Sequence, residues 1–181
     1  MSIAKNLIEK MGGSISFESK EGAGTTFVIQ VPFKIDPDAD KREEQRDVSE
    51  KSIKGLHILL AEDNELNMEI AEFLLQNEGA EVTKAWNGQE IVELFRKSES
   101  GEFDVILMDI MMPIINGYEA AKRIRSLDRE DAKKIPIIAM TANAFTEDRI
   151  RAKEAGMDEH VAKPIDVELL IKVIHKLVKH N

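Results

Sequence analysis

The chain has 181 residues, a formal net charge of −9, 43% hydrophobic residues and no cysteine. The absence of cysteine excludes disulfides, zinc–thiolate sites and cysteine nucleophiles, and it is compatible with a reducing cytosol. The acidic balance argues against non-specific nucleic-acid binding, which needs a basic face. No apolar stretch reaches the roughly 18–20 residues of a membrane helix, and no signal-peptide pattern is visible. We therefore expect this fragment to contact neither nucleic acid nor membrane.

The first 54 residues predict a small helix and hairpin followed by a linker. In residues 1–33, apolar positions at helical spacing lead to Gly12-Gly13, and two alternating segments then flank a glycine-rich turn. A piece this small cannot bury enough surface to be stable alone. Residues 34–54 have almost no apolar content and nearly balanced charges, which is typical of a flexible linker.

Residues 55–181 alternate strictly between strand and helix patterns. Short apolar runs predict five strands, at 57–61, 81–85, 104–108, 136–140 and 159–162. Each strand is followed by a segment of helical period. The first of these helices begins near Glu65 and ends at Gly79, the second follows Asn87-Gly88, the third opens at Gly117, and the fourth begins at Thr146 and ends at Gly156. Five βα units in this length fit an α/β fold with a doubly wound parallel sheet better than a closed barrel, which needs eight.

Four of these strands run into polar residues of different kinds. Glu62 and Asp63 follow the first strand, Asp109 the third, Thr141 the fourth and Lys163 the fifth. The carboxyl ends of parallel strands line the ligand crevice of such a sheet, so these side chains should meet at one edge. Taken singly, each is also typical of an ordinary strand end; together they favour a functional site.

The acids of this set predict a magnesium site. Three neighbouring carboxylates repel one another unless a cation is bound, and Mg²⁺ prefers oxygen ligands while keeping several waters. We expect Asp63 and Asp109 to be direct ligands, Glu62 to act through water, and the backbone carbonyl of Met111 to supply another oxygen.

Asp109 is the candidate nucleophile, because it ends the most apolar and therefore most central strand. A carboxylate can form an aspartyl phosphate if the phosphorus is positioned and its charge is neutralised. Thr141 can donate to a phosphoryl oxygen. Lys163 can pair with Asp109 in the empty site and with a phosphoryl oxygen in the filled one. The Lys163–Pro164 bond is a candidate for a cis peptide.

Residues 56–180 resemble a response-regulator receiver domain. The matching residues are Glu62-Asp63-Asn64, Asp109, Met111-Met112-Pro113, Gly117, Thr141-Ala142 and Lys163-Pro164. The resemblance implies a flavodoxin-like (βα)5 fold with strand order 2-1-3-4-5. It further implies transfer of a phosphoryl group from phosphohistidine to Asp109, Mg²⁺ (or Mn²⁺ in its place) organised by the three acids, and phosphoryl oxygens bound by Thr141 and Lys163.

Two positions depart from the commonest receiver pattern. Glu62 stands where aspartate is frequent, and its longer side chain changes the expected water-mediated geometry. His160 stands where the family usually carries Tyr or Phe as a rotameric switch that acts with Thr141. A histidine at this position can swing inward, but it also titrates near neutrality, so a pH-sensitive switch is one hypothesis and a half-buried strand residue is the other.

Residues 1–33 resemble the end of a histidine-kinase ATP-binding domain. The matching positions are Ile3, Lys5, Leu7, Met11-Gly12-Gly13, Ile15, Ser19, Gly22, Gly24-Thr25 and Phe27. The asparagine motif, the DxGxG motif, the glycine-rich lid and the phosphoacceptor histidine segment of that family are absent from this sequence, so we expect no useful ATP binding. The order of kinase end, linker and receiver is that of a hybrid sensor histidine kinase. Such a parent implies a cytoplasmic fragment, with any membrane anchor upstream.

The implied function is that of a phosphoacceptor module in a His–Asp phosphorelay, a limited enzyme that catalyses only its own phosphorylation and dephosphorylation. Its implied partners are a kinase dimerisation and phosphoacceptor domain, a histidine phosphotransfer protein, or both. Two rivals are a docking-only receiver fold and a magnesium-dependent phosphatase. The phosphatase class typically has a second aspartate two residues after its nucleophile, where this chain has Met111.

The first helix of the receiver region carries two apolar sets that do not fit one core. Leu66, Ile70 and Phe73 recur at i, i+4 and i+7, beside a second stripe that contains Ala71 and Leu75. We predict that Leu66 and Phe73 are partly exposed and dock a partner helix. Packing of both residues into the core is the alternative.

Overall fold

The computed structural model describes residues 3–20, 22, 24–33, 52–141 and 146–178. The chain divides into two compact units, Met1–Arg46 and Asp47–Asn181. Most of the predicted linker and Ala142 lie outside the described residues. No helix in the described ranges is long and apolar enough to cross a membrane.

The first unit is the expected helix and antiparallel hairpin. Helix α1 spans Ile3–Lys10, strand β1 spans Ser14–Lys20 and strand β2 spans Gly24–Gln30. The strands pair from Ser14 opposite Gln30 to Lys20 opposite Gly24. This register sets Phe17 directly opposite Phe27, with ring centroids 5.8 Å apart.

The second unit is a five-stranded parallel sheet between two layers of helices. Its elements in chain order are β3 His57–Ala61, α2 Glu65–Asn77, β4 Glu81–Ala85, α3 Gly88–Lys97, β5 Val105–Asp109, α4 Gly117–Arg125, α5 Glu130–Lys134, β6 Ile137–Thr141, α6 Thr146–Glu154, β7 Glu159–Ala162 and α7 Val167–Val178. The strand order β4-β3-β5-β6-β7 is the predicted 2-1-3-4-5 order.

Alternate strand residues face two separate cores, as the period of two in a strand requires. Leu59 and Ile106 belong to the core under α3, α4, α5 and α6. Leu60 and Leu107 belong to the core under α2 and α7. Because β3, β5 and β6 are covered on both faces, they consist almost entirely of apolar residues.

The structure corrects the sequence prediction in two places. Strands β5 and β6 lie one residue later than predicted, so Asp109 and Thr141 are the last residues of their strands. The short helix α5 was not predicted, since Ala132 is its only buried residue and leaves no apolar period to read. The preceding Arg129 joins this segment to α3, because its Nη1 donates to the carbonyl oxygens of Phe95 at 2.6 Å and Ser98 at 3.0 Å.

Candidate active site

The register of the sheet brings the predicted site residues to one edge. Ala61 pairs with Met108, so the next residues, Glu62 and Asp109, leave adjacent strands side by side. Thr141, the last residue of β6, pairs with Ala162, the last residue of β7. Lys163 follows Ala162 directly, so it leaves β7 beside the end of β6.

Three carboxylates form a cluster at this edge. One oxygen each from Glu62, Asp63 and Asp109 lies within 4.8 Å of the other two. Glu62 is 2% exposed and Asp109 is 5% exposed, whereas Asp63 faces solvent. Two buried acids and one accessible acid make a site that is open on one side, which is the arrangement a partly hydrated cation needs.

Lys163 places its ammonium among these acids. Its Nζ lies 2.8 Å from Asp109 Oδ2, which is the predicted pairing, and it also donates to Glu62 Oε2, which was not predicted. The Lys163–Pro164 peptide bond is cis. A single ammonium thus serves two buried carboxylates.

The charges of the cluster do not balance, because three carboxylates face one ammonium. Burial raises the pKa of Asp109, and the neighbouring Glu62 charge raises it further, against the opposing effect of Lys163. Burial lowers the pKa of Lys163, but its bonds to Asp109 and Glu62 outweigh that effect and the net pKa is raised. The site therefore holds surplus negative charge that a divalent cation would neutralise.

Two asparagines hold Glu62 in place. Asn67 Nδ2 donates to Glu62 Oε1 at 3.1 Å, and the backbone N–H of Asn64 donates to the same oxygen at 3.4 Å. Asn64 also caps α2, because its Oδ1 accepts from the backbone N–H of Asn67 at 3.1 Å. Asn67 was not predicted as a site residue. The signal in the chain is the spacing Asp63-Asn64-x-x-Asn67, in which a second asparagine follows the helix cap by three residues.

The loop after Asp109 bonds back to that residue. The backbone N–H of Met111 donates to Asp109 Oδ1 at 3.2 Å. The loop then turns sharply at Ile114, whose φ is +68°, and Ile115 N–H donates to the carbonyl of Pro113 at 2.8 Å. The side chains of Met111 and Ile114 are 77% and 73% exposed at the rim of the site.

Thr141 and His160 lie together. Both are half-buried and line one pocket, whose other lining residues are Ile110, Tyr118, Ala139, Arg149 and Ala152. His160 is opposite Ala139 in the register of β6 and β7, two residues before Thr141. The two residues predicted to act as a pair therefore lie on neighbouring strands and line the same crevice.

The predicted docking residues are exposed. Leu66 and Phe73 on α2 are 64% and 68% exposed, and Ile70 between them is 48% exposed. The buried face of the helix consists of Met68, Ala71 and Leu75. Packing of Leu66 and Phe73 into the core, the alternative interpretation, is therefore wrong.

Comparison with known proteins identifies the family. Residues 58–175 match the model of the response regulator receiver domain. The chain belongs to this family. A solved relative, the receiver domain of sensor histidine kinase PA1611 from Pseudomonas aeruginosa with magnesium coordinated in its active site cleft, is 35% identical, with a TM-score of 0.62 over 69% of this chain and 98% of that one.

Relatives among curated proteins are histidine kinases. Histidine kinase 1 of Arabidopsis thaliana is 35% identical in an alignment of 161 positions that covers 72% of this chain and 13% of that protein. The aerobic respiration control sensor protein ArcB of Escherichia coli is 31% identical over 177 residues, which are 97% of this chain and 22% of ArcB. This chain thus spans less than a quarter of the length of either relative and carries a receiver domain of the kind found in hybrid histidine kinases.

A second solved relative comes from the structure of a complex. A chain from the co-crystal structure of the Saccharomyces cerevisiae phosphotransfer protein Ypd1 with the receiver domain of Ssk1 is 27% identical, with a TM-score of 0.61 over 70% of this chain and 90% of that one. The second unit is therefore a receiver domain of a two-component phosphorelay.

Proposed function

We propose that Asp109 is the phosphoacceptor of this receiver domain and takes its phosphoryl group from a phosphohistidine. The observation that carries the proposal is the pairing of a buried aspartate with Lys163 at 2.8 Å, inside a cluster with two further acids. Burial desolvates the carboxylate, and the adjacent ammonium is positioned to move from Asp109 to a phosphoryl oxygen.

The donor set fits magnesium. Three carboxylates in one cluster with surplus negative charge match the oxygen preference of Mg²⁺, and a related receiver holds magnesium in its active site cleft. We propose that Asp63 and Asp109 bind the ion directly, that Glu62 acts through water, and that the Met111 carbonyl completes the protein ligands. Mn²⁺, another oxygen-binding divalent ion, should substitute. The bound ion would neutralise the negative charge of the phosphoryl group as it approaches the acids.

In the proposed transfer, a carboxylate oxygen of Asp109 attacks the phosphorus. A phosphorus–oxygen bond forms and the phosphorus–nitrogen bond to the imidazole breaks. The electron pair of the broken bond stays on the imidazole nitrogen, which takes a proton from solvent. Lys163 and the hydroxyl of Thr141 hold phosphoryl oxygens. Attack by water on the acyl phosphate later releases inorganic phosphate and restores the carboxylate, so the domain catalyses its own phosphorylation and dephosphorylation.

We propose that Thr141 and His160 form the switch that reports phosphorylation. Their lining of one closed crevice supports this, because a movement of Thr141 toward a phosphoryl oxygen would change the packing beside His160. The ring proton resonances of His160 should shift when Asp109 is phosphorylated. Resonances that stay in place would contradict the switch.

The proposed setting is a hybrid histidine kinase in the cytoplasm, where ATP is available. The similarity to ArcB extends over 97% of this chain, which supports reading residues 1–33 as the end of a kinase ATP-binding domain and 34–54 as the linker before the receiver. The domain would exchange its phosphoryl group with the kinase's own phosphohistidine domain and with a histidine phosphotransfer protein. The exposed Leu66 and Phe73 would dock a helix of that partner beside Asp109.

Intact mass spectrometry tests the phosphoacceptor. Incubation with Mg²⁺ and acetyl phosphate should add one phosphoryl group to the wild type, none to Asp109→Asn, and none to the wild type with a chelator. Asp128→Asn, which alters an exposed acid outside the cluster, should gain the group normally. Equal phosphorylation of Asp109→Asn would overturn the assignment.

Phosphotransfer from a phosphorylated histidine phosphotransfer protein tests the docking surface. Leu66→Asp should slow this transfer at least tenfold, yet leave phosphorylation by acetyl phosphate unchanged, since the small donor needs no docking. Leu169→Asp is the matched control, because Leu169 is also exposed, at 47%, but lies on α7. If both variants react with the protein donor as the wild type does, the docking surface lies elsewhere.

A further inference from the structure

Gly88, the first residue of α3, lies against the loop that leaves Asp109. A Cβ added to Gly88 would be 2.1 Å from the carbonyl oxygen of Ile115 and 2.9 Å from its carbonyl carbon, distances that real Cβ atoms do not show. The φ of Gly88 is not in the left-handed region, so an alanine would suit the backbone conformation. Glycine is therefore required at this position by the close approach of the loop, and not by the backbone conformation of the helix.

The helix cannot easily retreat from this contact. Ile91 and Phe95 fix α3 in the core with 0% and 1% exposure, and the Asn87 side chain caps its first turn. The loop is nearer the surface at this point, because Ile115 is half-buried and Asn116 is exposed. A methyl group at position 88 would thus displace the loop by about 1.3 Å, the difference between 2.1 Å and the 3.4 Å at which ordinary van der Waals contact begins.

That loop carries part of the active site. Met111 N–H donates to Asp109 Oδ1, and the chain then passes through Ile114 at a φ of +68°. Such a backbone conformation is strained for a β-branched residue and persists only where the surroundings enforce it. The carbonyl of Ile115, one residue further, is the group seated against Gly88. The absence of a side chain at Gly88 therefore allows the loop to adopt this conformation.

We propose that Gly88 is a positioning residue for the magnesium site, one that acts by seating the Ile115 carbonyl and so fixing the loop that holds the Met111 backbone beside Asp109. This inference rests on the proposed function, because it assumes that the acidic cluster binds Mg²⁺. Gly88 touches no reacting group itself; its effect is carried entirely by the backbone of the loop.

Isothermal titration calorimetry with MgCl₂ tests the proposal. Gly88→Ala should bind Mg²⁺ about tenfold more weakly than the wild type, the size of effect seen when groups that orient metal ligands are lost. Gly101→Ala is the control, since Gly101 also lacks a side chain, has a φ of +80° and has no atom near its Cβ position. It should lower thermal stability through backbone strain and leave Mg²⁺ affinity unchanged.

The outcomes separate the two proposals. If the wild type binds no Mg²⁺, the proposed metal site is wrong and this inference with it. If the wild type and Gly88→Ala bind within twofold of each other, only the positioning role is overturned. If Gly88→Ala does not fold, hydrogen exchange on the wild type decides: Mg²⁺ should slow exchange of the Ile115 amide, which donates to Pro113, and exchange that is insensitive to Mg²⁺ overturns the proposal.

Discussion

Neutralising Asp109 should stabilise the metal-free protein. Asp109 and Glu62 place carboxylate oxygens within 4.8 Å, where like charges repel by about 3.5 kcal/mol at an effective dielectric constant of about 20. The attraction of Asp109 to Lys163 at 2.8 Å is about 6 kcal/mol on the same scale, and Lys163 is shared with Glu62. The exposed Asp63 adds a smaller, screened repulsion. The attraction exceeds the repulsion from Glu62 by about 2.5 kcal/mol, and the Asp63 charge narrows that difference.

The cost of burying the Asp109 carboxylate then decides the sign, because desolvation of an ion costs several kcal/mol in practice. The amide in Asp109→Asn keeps the shape and still offers Lys163 an oxygen, without the charge. We expect a gain of about 1 kcal/mol, which raises the melting temperature by about 4 °C for a domain of this size. Added Mg²⁺ should reverse the order, since the wild type gains about 1.4 kcal/mol at ten times its dissociation constant while the variant binds weakly.

Differential scanning calorimetry with EDTA and with a range of MgCl₂ concentrations measures both effects. Asp128→Asn, outside the cluster, should melt like the wild type in EDTA and respond to Mg²⁺ equally. A lower melting temperature for Asp109→Asn in EDTA would show that the ion pair with Lys163 outweighs desolvation and repulsion, and would refute the reasoning. A full Mg²⁺ response in that variant would place the metal elsewhere.

Three further predictions concern other parts of the domain. Asp131→Asn should cost about 1–2 kcal/mol at neutral pH in urea unfolding, because hydrogen bonds from Arg129 hold the pKa of Asp131 well below its usual range. A depressed carboxyl pKa stabilises the fold above the unfolded value of about 3.9, so the loss should shrink as pH falls below about 4. Leu107→Ala, at a fully buried position of β5, should cost about 3 kcal/mol in the same assay. Thr141→Ala should slow phosphorylation by acetyl phosphate at least tenfold in intact-mass time courses, with Mg²⁺ affinity unchanged.

Each of these has its own contrary result. A stability loss in Asp131→Asn that is constant from pH 7 to pH 3 would mean that the carboxylate does not titrate abnormally. A cost below about 1 kcal/mol for Leu107→Ala would mean that the core closes around the missing methyl groups. Weakened Mg²⁺ binding in Thr141→Ala would mean that the hydroxyl supports the metal site and not only the phosphoryl group.

Much of the fold could be predicted because the sheet is buried on both faces. Strands such as β3 and β5 are then almost entirely apolar, and the polar residue at the end of each apolar run marks the edge where the site lies. The exposure of Leu66 and Phe73 was predictable as well, because one helix cannot bury two opposed apolar sets. The (βα)5 order came from the resemblance, and the strand pairing confirms it.

The remaining features depend on contacts that leave no pattern in the chain. Glu62 and Lys163 are 101 positions apart, and nothing in the sequence indicated that the lysine would serve both acids. The approach of Gly88 to Ile115 involves a backbone carbonyl, which every residue has. Helix α5 is too short to show a period, and its position depends on the bonds that Arg129 makes to the end of α3.

The ammonium of Lys163 is, in effect, a counter-ion tethered to the protein. A free ion leaves when salt is diluted, whereas a covalently attached one stays at a fixed, high local concentration beside Glu62 and Asp109. Free Na⁺ or K⁺ at ordinary concentrations should therefore compete poorly for the acids. A divalent ion binds only if its attraction to the carboxylates exceeds that of the Lys163 ammonium. We expect the Lys163 ammonium to keep the affinity of the proposed site for Mg²⁺ modest, so that its occupancy follows the magnesium concentration.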